Sequence, residues 1–336
     1  MDTTTAQQRA AFLAWSTARL WREGRLVEAR GACEEALALQ LAAGSPTAVA
    51  SVRTTLGRIL RTMGEVTDAH EQLSSALARH LLDGDERLVA LTRQELAGLA
   101  LLRGRPEIAV ELLGEAAAAH VAAGDDAFEV RAMLLLLRAH HAAGRLDDAF
   151  TQVRMLWPAV ERTGDPSLIV DLAAAAGHLL LERGSAKEAI RAYGRGLAVT
   201  DGTPPWAEVE LRLGVARARL DRGALDAAWL EASAAAELAS SSTLRLDEGV
   251  AWATVAMLAA REGRVGEARD AIATAEERLA CAPTWLALTD LAAATLELRE
   301  DRTAAFRGLT EVPDEALSVV PVRLAMRALR TWAAGG

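Results

Sequence analysis

Cysteine is nearly absent from this chain of 336 residues, which contains only Cys33 and Cys281. Neither has a partner at the spacing of a metal site or a redox motif, so a disulfide framework is excluded and a reducing cytosol is expected. Long hydrophobic runs are also missing, because no stretch of about eighteen uncharged apolar residues could form a membrane span. The N-terminal segment lacks the basic and apolar regions of a signal peptide, which again predicts a cytoplasmic protein.

Aromatic residues make up only 4% of the sequence, whereas hydrophobic residues make up 51%. The apolar content is therefore mostly alanine and leucine, a composition typical of closely packed helices, and runs of strand-forming residues are missing. Lysine is limited to Lys187, and arginine supplies the remaining basic residues. The formal net charge of −9 argues against a general nucleic-acid binder.

What the sequence does contain is a repeated helix start, first seen as GRLVEA at Gly24. Related segments follow at intervals of 40, 40, 40, 40, 39 and 40 residues, at Gly64, Gly104, Gly144, Gly184, Gly223 and Gly263. A regular spacing of this length indicates a repeat array rather than a set of ordinary globular domains.

Each repeat has small residues at fixed distances from its turn glycine. Five residues after the glycine stands an alanine in every repeat: Ala29, Ala69, Ala109, Ala149, Ala189, Ala228 and Ala268. Twelve residues after it, the residue is small in all repeats except the fourth, which has Leu156. Two small residues seven apart lie on one helix face and let a second helix approach closely. Each repeat is thus predicted to be a helix A, a tight turn and a helix B.

This pattern of turn glycine, small residue on helix A and two alanines on helix B resembles the tetratricopeptide repeat (TPR). The resemblance covers residues of about 5 to 300, and the long repeat is similar to those of kinesin light chains, bacterial peptide-sensing regulators and the sensor halves of bacterial signalling ATPases. It implies an all-α fold, a right-handed α-solenoid of seven to eight helical hairpins in a single domain. The expected repeats are approximately 5–44, 45–84, 85–124, 125–164, 165–203, 204–243, 244–282, a degenerate 283–312 and a cap at 313–333.

Several positions depart from the repeat. Arginine replaces the bulky apolar residue expected eleven positions before the glycine in three repeats, at Arg53, Arg93 and Arg212. Pro158 lies inside helix B of the fourth repeat, where it should bend or shorten the helix, either as a local kink around Trp157 or as a flexible point. Asp301 stands where an eighth turn glycine is expected. In the cap, we expect three arginines to point outward: Arg323, Arg327 and Arg330.

Chemistry for catalysis, metal binding or a cofactor is not evident in the sequence. His80 and His120 end two B helices, and the adjacent His140 and His141 point about 100° apart, so neither pair has metal-ligand spacing. No phosphate-binding loop follows a strand, and no serine or cysteine has the context of a nucleophile. We therefore predict a protein that is not an enzyme and needs no cofactor or metal.

The predicted groove has an uneven charge. By the resemblance, helix A residues that lie 13, 10, 6, 3 and 2 positions before each glycine line a concave groove. In the first four repeats these places hold no acid, but they hold Arg22, Arg58, Arg61, Arg131, Arg138 and His141. In the fifth and sixth repeats they hold both signs of charge: Asp171, His178, Glu182, Glu210, Arg217 and Asp221. Among the apolar neighbours of the arginines are Trp21, Leu91, Leu101 and Leu134.

The basic part of the groove suits an acidic segment or a C-terminal carboxylate, because a guanidinium can hold a carboxylate with two bonds. The first interpretation is a non-catalytic scaffold that binds a protein or peptide, in a bacterial cytosol, without nucleic acid or membrane. Unevenly distributed charge on a solvated face is the simpler explanation. A second interpretation is a stand-alone regulatory array that binds a signalling peptide and controls a separate effector. Self-assembly through the array ends, near Trp15, Trp285 and Trp332, is a third.

Overall fold

A computed structural model of the chain describes residues 3–298 and 312–335, and all of its regular structure in these ranges is helical. Helices pair around the turn glycines as predicted. The helices are α1 Thr3–Arg22, α2 Leu26–Ala42, α3 Pro46–Met63, α4 Val66–Asp83, α5 Glu86–Leu102, α6 Pro106–Ala123, α7 Asp126–Ala142, α8 Leu146–Thr163, α9 Pro166–Glu182, α10 Ala186–Leu197, α11 Pro205–Asp221, α12 Leu225–Ser241, α13 Arg245–Glu262, α14 Val265–Leu279, α15 Pro283–Glu297, α16 Asp314–Leu317 and α17 Val320–Gly335.

The seven turn glycines have the backbone conformation that the turn requires. Their φ angles lie between 69° and 81°, in the left-handed region that a side chain disfavours. The alanine five residues after each of them is 0% exposed in all seven repeats. The residue twelve positions after the glycine is buried in every repeat as well, including Leu156 and Gly196. The two small positions are therefore buried where helices pack against one another, and the all-α repeat fold is confirmed.

The chain forms two compact units. Among the described residues, unit 1 comprises residues 3–100 and 107–136, and unit 2 comprises residues 101–106, 137–298 and 312–335. In unit 1, successive helices from α1 to α4 pack against one another. In unit 2, successive helices from α8 to α15 do the same, and the A helices α9, α11 and α13 also contact their neighbours of the same kind. That all repeats form a single domain stays a prediction.

Two expectations about individual helices are corrected, and one lies outside the described residues. Helix α8 runs from Leu146 to Thr163 with Pro158 inside it, so the proline does not shorten the helix, and a bend there stays a prediction. In the cap, Arg323 and Arg327 are half-buried and directed at α9 and α11, while Arg330 is exposed as expected. The proposed eighth turn at Asp301 lies outside the described residues.

Tyr193 marks a departure from the repeat in unit 2. Its ring projects from α10 between α9 and α11, and it is 0% exposed. A Cβ atom added to Gly177 would lie 2.3 Å from the ring, and one added to Gly214 would lie 2.4 Å from it. Both separations are far below van der Waals contact, so the tyrosine fits only because these two residues have no side chain.

We expect Gly214→Ala to reduce the free energy of unfolding by about 1–3 kcal/mol, because the new methyl group overlaps the Tyr193 ring. Gly194→Ala is the matched control: Gly194 lies in α10, and a methyl group added there would have no neighbouring atom within 4 Å. Alanine at this helical position should gain about 0.5–1 kcal/mol. Urea unfolding followed by circular dichroism measures both. Equal effects of the two substitutions would contradict the packing described for Tyr193.

Candidate functional site

The A helices of unit 2 bring six predicted groove residues close to one another. They come from α7, α9 and α11, and we call them the polar cluster of unit 2: Arg138, His141, His178, Glu182, Glu210 and Arg217. Positions six before the turn glycine supply Arg138, His178 and Arg217 in three successive repeats. Helices α9 and α11 pack side by side, and Arg138 of α7 reaches Glu210 of α11. The charges of Arg138 and Arg217 both act on His178, so the three side chains lie next to one another in a row.

Arg138 and Glu210 form an ion pair across α7 and α11. The distance between Arg138 Nη2 and Glu210 Oε1 is 2.8 Å, and the carboxylate raises the pKa of Arg138. His178 Nδ1 lies 3.9 Å from the same carboxylate oxygen. Burial raises the pKa of Asp247 in α13 to about 7, and the negative charge of Glu210 is the second cause of this shift. Asp247 is therefore close enough to be affected by Glu210. Glu210 is therefore the acid next to which Arg138 and His178 lie.

Glu182 connects three helices at the end of α9. Its carboxylate bonds the Nε2 atom of His141 and accepts from Arg323 of α17. Arg323 also donates to the backbone carbonyl groups of His141, at 2.8 Å, and Ala142, at 3.1 Å. These carbonyl groups belong to the last turn of α7, where helix geometry leaves them without an intrahelical partner. Burial lowers the pKa of His141, although the bond to Glu182 acts in the opposite direction.

Helix α17 repeats this arrangement one repeat later. Arg327 donates to Asp221 at the end of α11, 2.5 Å away, and to the carbonyl oxygen of Leu181 at the end of α9. Arg261 of α13 donates to the carbonyl oxygen of Ala328 at 2.8 Å. Helix α17 is thus anchored on the C-terminal ends of successive A helices by charge-assisted bonds, which are stronger than bonds between neutral groups.

Arg217 differs from the other cations of the cluster. It is 6% exposed, and its Nε and Nη2 atoms are buried with no hydrogen-bond partner among the described residues. Burial lowers the pKa of its guanidinium to about 10. The nearby Tyr193 hydroxyl and the Nε2 atom of His178 are also buried with no partner in the described part of the chain. Unpartnered N–H groups on a buried cation are costly, so this is a position where an acceptor would be favoured.

Unit 1 contains other predicted groove residues. Arg58 lies over the Trp21 ring, 4.8 Å from its centroid, and its Nε atom is buried with no partner among the described residues. Arg61 is paired with Glu95 of α5 at 3.1 Å. Arg131 of α7 is exposed. The structure therefore leaves Arg131 accessible, while Arg61 is already held by an acid of the same chain.

Two partners in these sites were not identified from the sequence. Glu95 lies nine positions before its turn glycine, a place outside the five that the resemblance assigns to the groove. Tyr193 lies on a B helix, and its contact with His178 across 5.6 Å follows from the missing side chains of Gly177 and Gly214. The sequence did contain a signal for this contact. Gly177 and Gly214 lie inside two successive A helices, and the only tyrosine of the chain lies on the B helix between them.

Two expected absences can be compared with the structure. Within the residues described, no group of three or more His, Cys, Asp and Glu side chains could hold a metal ion. Over the same ranges, no helix combines the length and the apolar character that crossing a bilayer demands.

The histidines at the C-terminal ends of α4 and α6 are buried. His80 is 0% exposed and His120 is 1% exposed, and burial lowers the pKa of both rings.

The state of His178 makes a prediction about pH. Burial lowers its pKa well below the ordinary value, so the unfolded chain binds a proton more readily than the folded chain. Stability is then fully present above the ordinary pKa and is lost as the pH falls below about 6.5. We expect His178→Gln to reduce the slope of unfolding free energy between pH 7 and pH 5 by up to about 1.4 kcal/mol per pH unit. Urea unfolding at three pH values measures the slope, and an unchanged slope would show that His178 has the same pKa in the folded and the unfolded chain.

Several solved structures share this architecture. One is the Rap conjugation gene regulator of plasmid pLS20 in complex with the Phr* peptide, which is 13% identical to this chain. The match covers 85% of this chain and 76% of the regulator, with a TM-score of 0.63. A Rap protein complexed with Competence and Sporulation Factor is 10% identical. The match covers 98% of this chain and 99% of the Rap protein, with a TM-score of 0.65. NprR in complex with its cognate peptide NprX is 11% identical. The match covers 99% of this chain and 98% of NprR, with a TM-score of 0.61.

Sequence comparison adds no closer relative: no protein-family model matches the chain, and no curated protein matches it. At identities of 10–13% the similarity concerns the fold alone. In each repeat of this chain, the paired helices, the turn glycine and the buried alanine are those expected of a TPR-type fold. The chain therefore has a TPR-type helical repeat fold, similar to that of the Rap and NprR proteins.

Proposed function

We propose that the protein is a non-catalytic, cytoplasmic regulator that binds a peptide through its A helices, with a carboxylate of the peptide held at Arg217. Three proteins of the same architecture were solved with a peptide or a named factor bound, which supports a peptide as the ligand. The observation that carries the proposal is the buried guanidinium of Arg217, whose Nε and Nη2 atoms have no partner among the described residues.

The surroundings of Arg217 favour an anion over a neutral group. Glu210, the nearest acid of the cluster, is already engaged by Arg138 through two bonds of 2.8 Å and 3.5 Å. Tyr193 can donate its hydroxyl hydrogen, since its pKa is raised well above the usual range by burial. A carboxylate oxygen could accept from the guanidinium and from this hydroxyl together, and such charge-assisted bonds contribute most where water is excluded.

The arginines predicted from the sequence have different parts in this proposal. Arg138 binds Glu210 and positions it, and Arg61 does the same for Glu95, so neither is assigned to the ligand. Arg58, stacked on Trp21, and the exposed Arg131 lie in unit 1, where they remain candidates for binding an acidic segment by themselves. His141 and Glu182 hold α17 in place. The proposed recognition of an acidic or carboxylate-bearing segment thus rests on fewer residues than the sequence suggested.

A peptide library tests the proposal directly. The immobilised protein is incubated with randomised heptapeptides that end in a free carboxylate and, separately, with the same library amidated at its C-terminus. We expect peptides from the free-acid library to be retained at least tenfold more than amidated ones, because Arg217 binds the terminal carboxylate. Retained sequences are identified by mass spectrometry.

Substitutions define which residue is responsible. Arg217→Gln should abolish the preference for the free acid, whereas Arg154→Gln, which removes the same charge from an exposed position on α8, should keep it. Circular dichroism checks that both variants retain the helical content of the wild type. If amidated, Asp- or Glu-rich peptides are retained through Arg58 or Arg131, the ligand is an internal acidic segment. Retention that ignores Arg217, Arg58 and Arg131 would reject the proposal.

The regulatory form of this function is favoured over a rigid scaffold by one observation. Arg323 and Arg327 attach α17 to the ends of α9 and α11, and these ends lie one helical turn beyond His178 and Arg217. A ligand carboxylate at Arg217 would therefore act close to the anchors of α17. In this form, the peptide changes how firmly α17 is held, and an effector protein responds to that change. Self-association, the remaining alternative, stays a prediction.

Hydrogen exchange distinguishes the regulatory form from the scaffold. Adding the retained peptide should change the protection of amides in residues 320–333 at least fivefold if α17 responds to the ligand. Arg323→Gln, which removes the bonds to Glu182 and to the end of α7, should give fast exchange in this segment without ligand. Unchanged protection of residues 320–333 on peptide binding would favour the rigid scaffold.

A further inference from the structure

Unit 1 contains a pocket of about 380 Å³, and none of the residues that line it belongs to the polar cluster of unit 2. It lies where the turn between α2 and α3 meets α4. Its lining includes the apolar residues Leu41, Pro46, Val49 and Ala50 and the polar residues Arg53, Ser75 and Arg79. The pocket thus combines an apolar wall with two guanidinium groups, an arrangement suited to a ligand with two different ends.

The repeats supply an internal comparison for Arg53. Arginine occupies the same position, eleven before the turn glycine, in α3, α5 and α11. In α5, Arg93 is paired with Glu115 of α6, at 2.8 Å between Nη2 and Oε2. In α11, Arg212 is paired with Glu231 of α12 at 3.0 Å. In two of the three repeats, a carboxylate from the following B helix therefore neutralises the arginine.

In the pocket repeat this carboxylate is replaced by a hydroxyl. Ser75 stands 22 residues after Arg53, as Glu115 stands 22 residues after Arg93. Arg53 donates from Nη1 to the Ser75 hydroxyl, and its Nε atom is buried with no partner in the described ranges. A neutral hydroxyl accepts a weaker bond than a carboxylate does, so the positive charge of Arg53 is left largely uncompensated.

Two differences between the pocket repeat, which contains Arg53, and the following repeat, which contains Arg93, explain why there is room for a ligand. Gln40 of α2 corresponds to His80, which is 0% exposed and fills its site, and Ser75 corresponds to the longer Glu115. Leu41 is 55% exposed at the mouth of the pocket. The second arginine of the pocket, Arg79, is paired with Asp83 at 2.5 Å, so Arg53 is the cation available to an incoming anion.

We propose that this pocket binds a carboxylate with an apolar body, the carboxylate on Arg53 in the place that Glu115 takes at Arg93, and the apolar part against Leu41, Pro46 and Val49. Such a group can be a short free carboxylic acid or an acidic side chain of a peptide, and both present the same chemistry. The site is independent of the proposed function, because it uses no residue of unit 2.

The experiment is a titration with sodium hexanoate, followed through the backbone amide resonances of Gly44, Ser45 and Ala50 in ¹H–¹⁵N spectra. We expect saturable shifts with hexanoate and none with hexan-1-ol, which has the same apolar body without the charge. Ser75→Glu is the decisive variant, because it builds into this repeat the Arg–Glu pair found at Arg93 and Glu115. It should weaken hexanoate binding at least tenfold and keep or raise the melting temperature.

A second ligand and two further variants separate the possible outcomes. N-acetyl-Leu-Glu-amide in the same titration identifies the source: tighter binding than hexanoate indicates a peptide side chain, and weaker binding indicates a small acid. Arg53→Gln should remove both, whereas Arg217→Gln in unit 2 should change neither. Absence of saturable shifts with both ligands, or equal binding by wild type and Ser75→Glu, would overturn the proposal whatever the outcome at Arg217.

Discussion

The contact on which both units depend is the approach of helices at the alanine that follows each turn glycine by five residues. All seven of these alanines are 0% exposed, and an additional methylene group there would displace a neighbouring helix, at a cost of about 1–3 kcal/mol. A fixed approach distance makes successive hairpins equivalent, so side chains at one position of the repeat come next to one another in space. The row of Arg138, His178 and Arg217 is a consequence of this equivalence, as is the similar placement of Arg53 and Arg93.

Charge in this protein is balanced mostly within the chain. Arg61, Arg93, Arg138 and Arg212 are each paired with a carboxylate from another helix, which compensates part of the cost of removing a guanidinium from water. A basic residue on an A helix is therefore weak evidence for a ligand. The informative residues are those for which the chain supplies no acid, and among the described residues Arg53 and Arg217 are two such cases.

The fold could be predicted almost completely from the sequence, because turn glycines and small residues act locally and recur in seven repeats. The candidate site could be predicted only in part. The register placed Arg138, His178 and Arg217 at equivalent positions, and that they bind a ligand stays a prediction. It could not show that Glu210 binds Arg138, since that pair joins residues 72 positions apart. The inward direction of Arg323 and Arg327 was missed for a related reason. Their acceptors include backbone carbonyl groups at helix ends, which carry no sequence signal.

A repeat protein allows a sharper argument about binding than an ordinary globular domain does, since each position occurs several times in nearly the same surroundings. Removing an arginine deletes charge, packing and hydrogen bonds together, so a loss of binding after such a change has several explanations. Supplying the partner that another repeat already has keeps the guanidinium in place, but occupies it and the space beside it. Arg93 with Glu115 shows that the pair fits the backbone at this position, which makes strain an unsatisfactory explanation for any effect of a glutamate beside Arg53. Arg217 has no such counterpart, because its equivalents at Arg138 and His178 share Glu210. Its assignment to a ligand must therefore depend on the ligand's own carboxylate, present in one library and masked in the other.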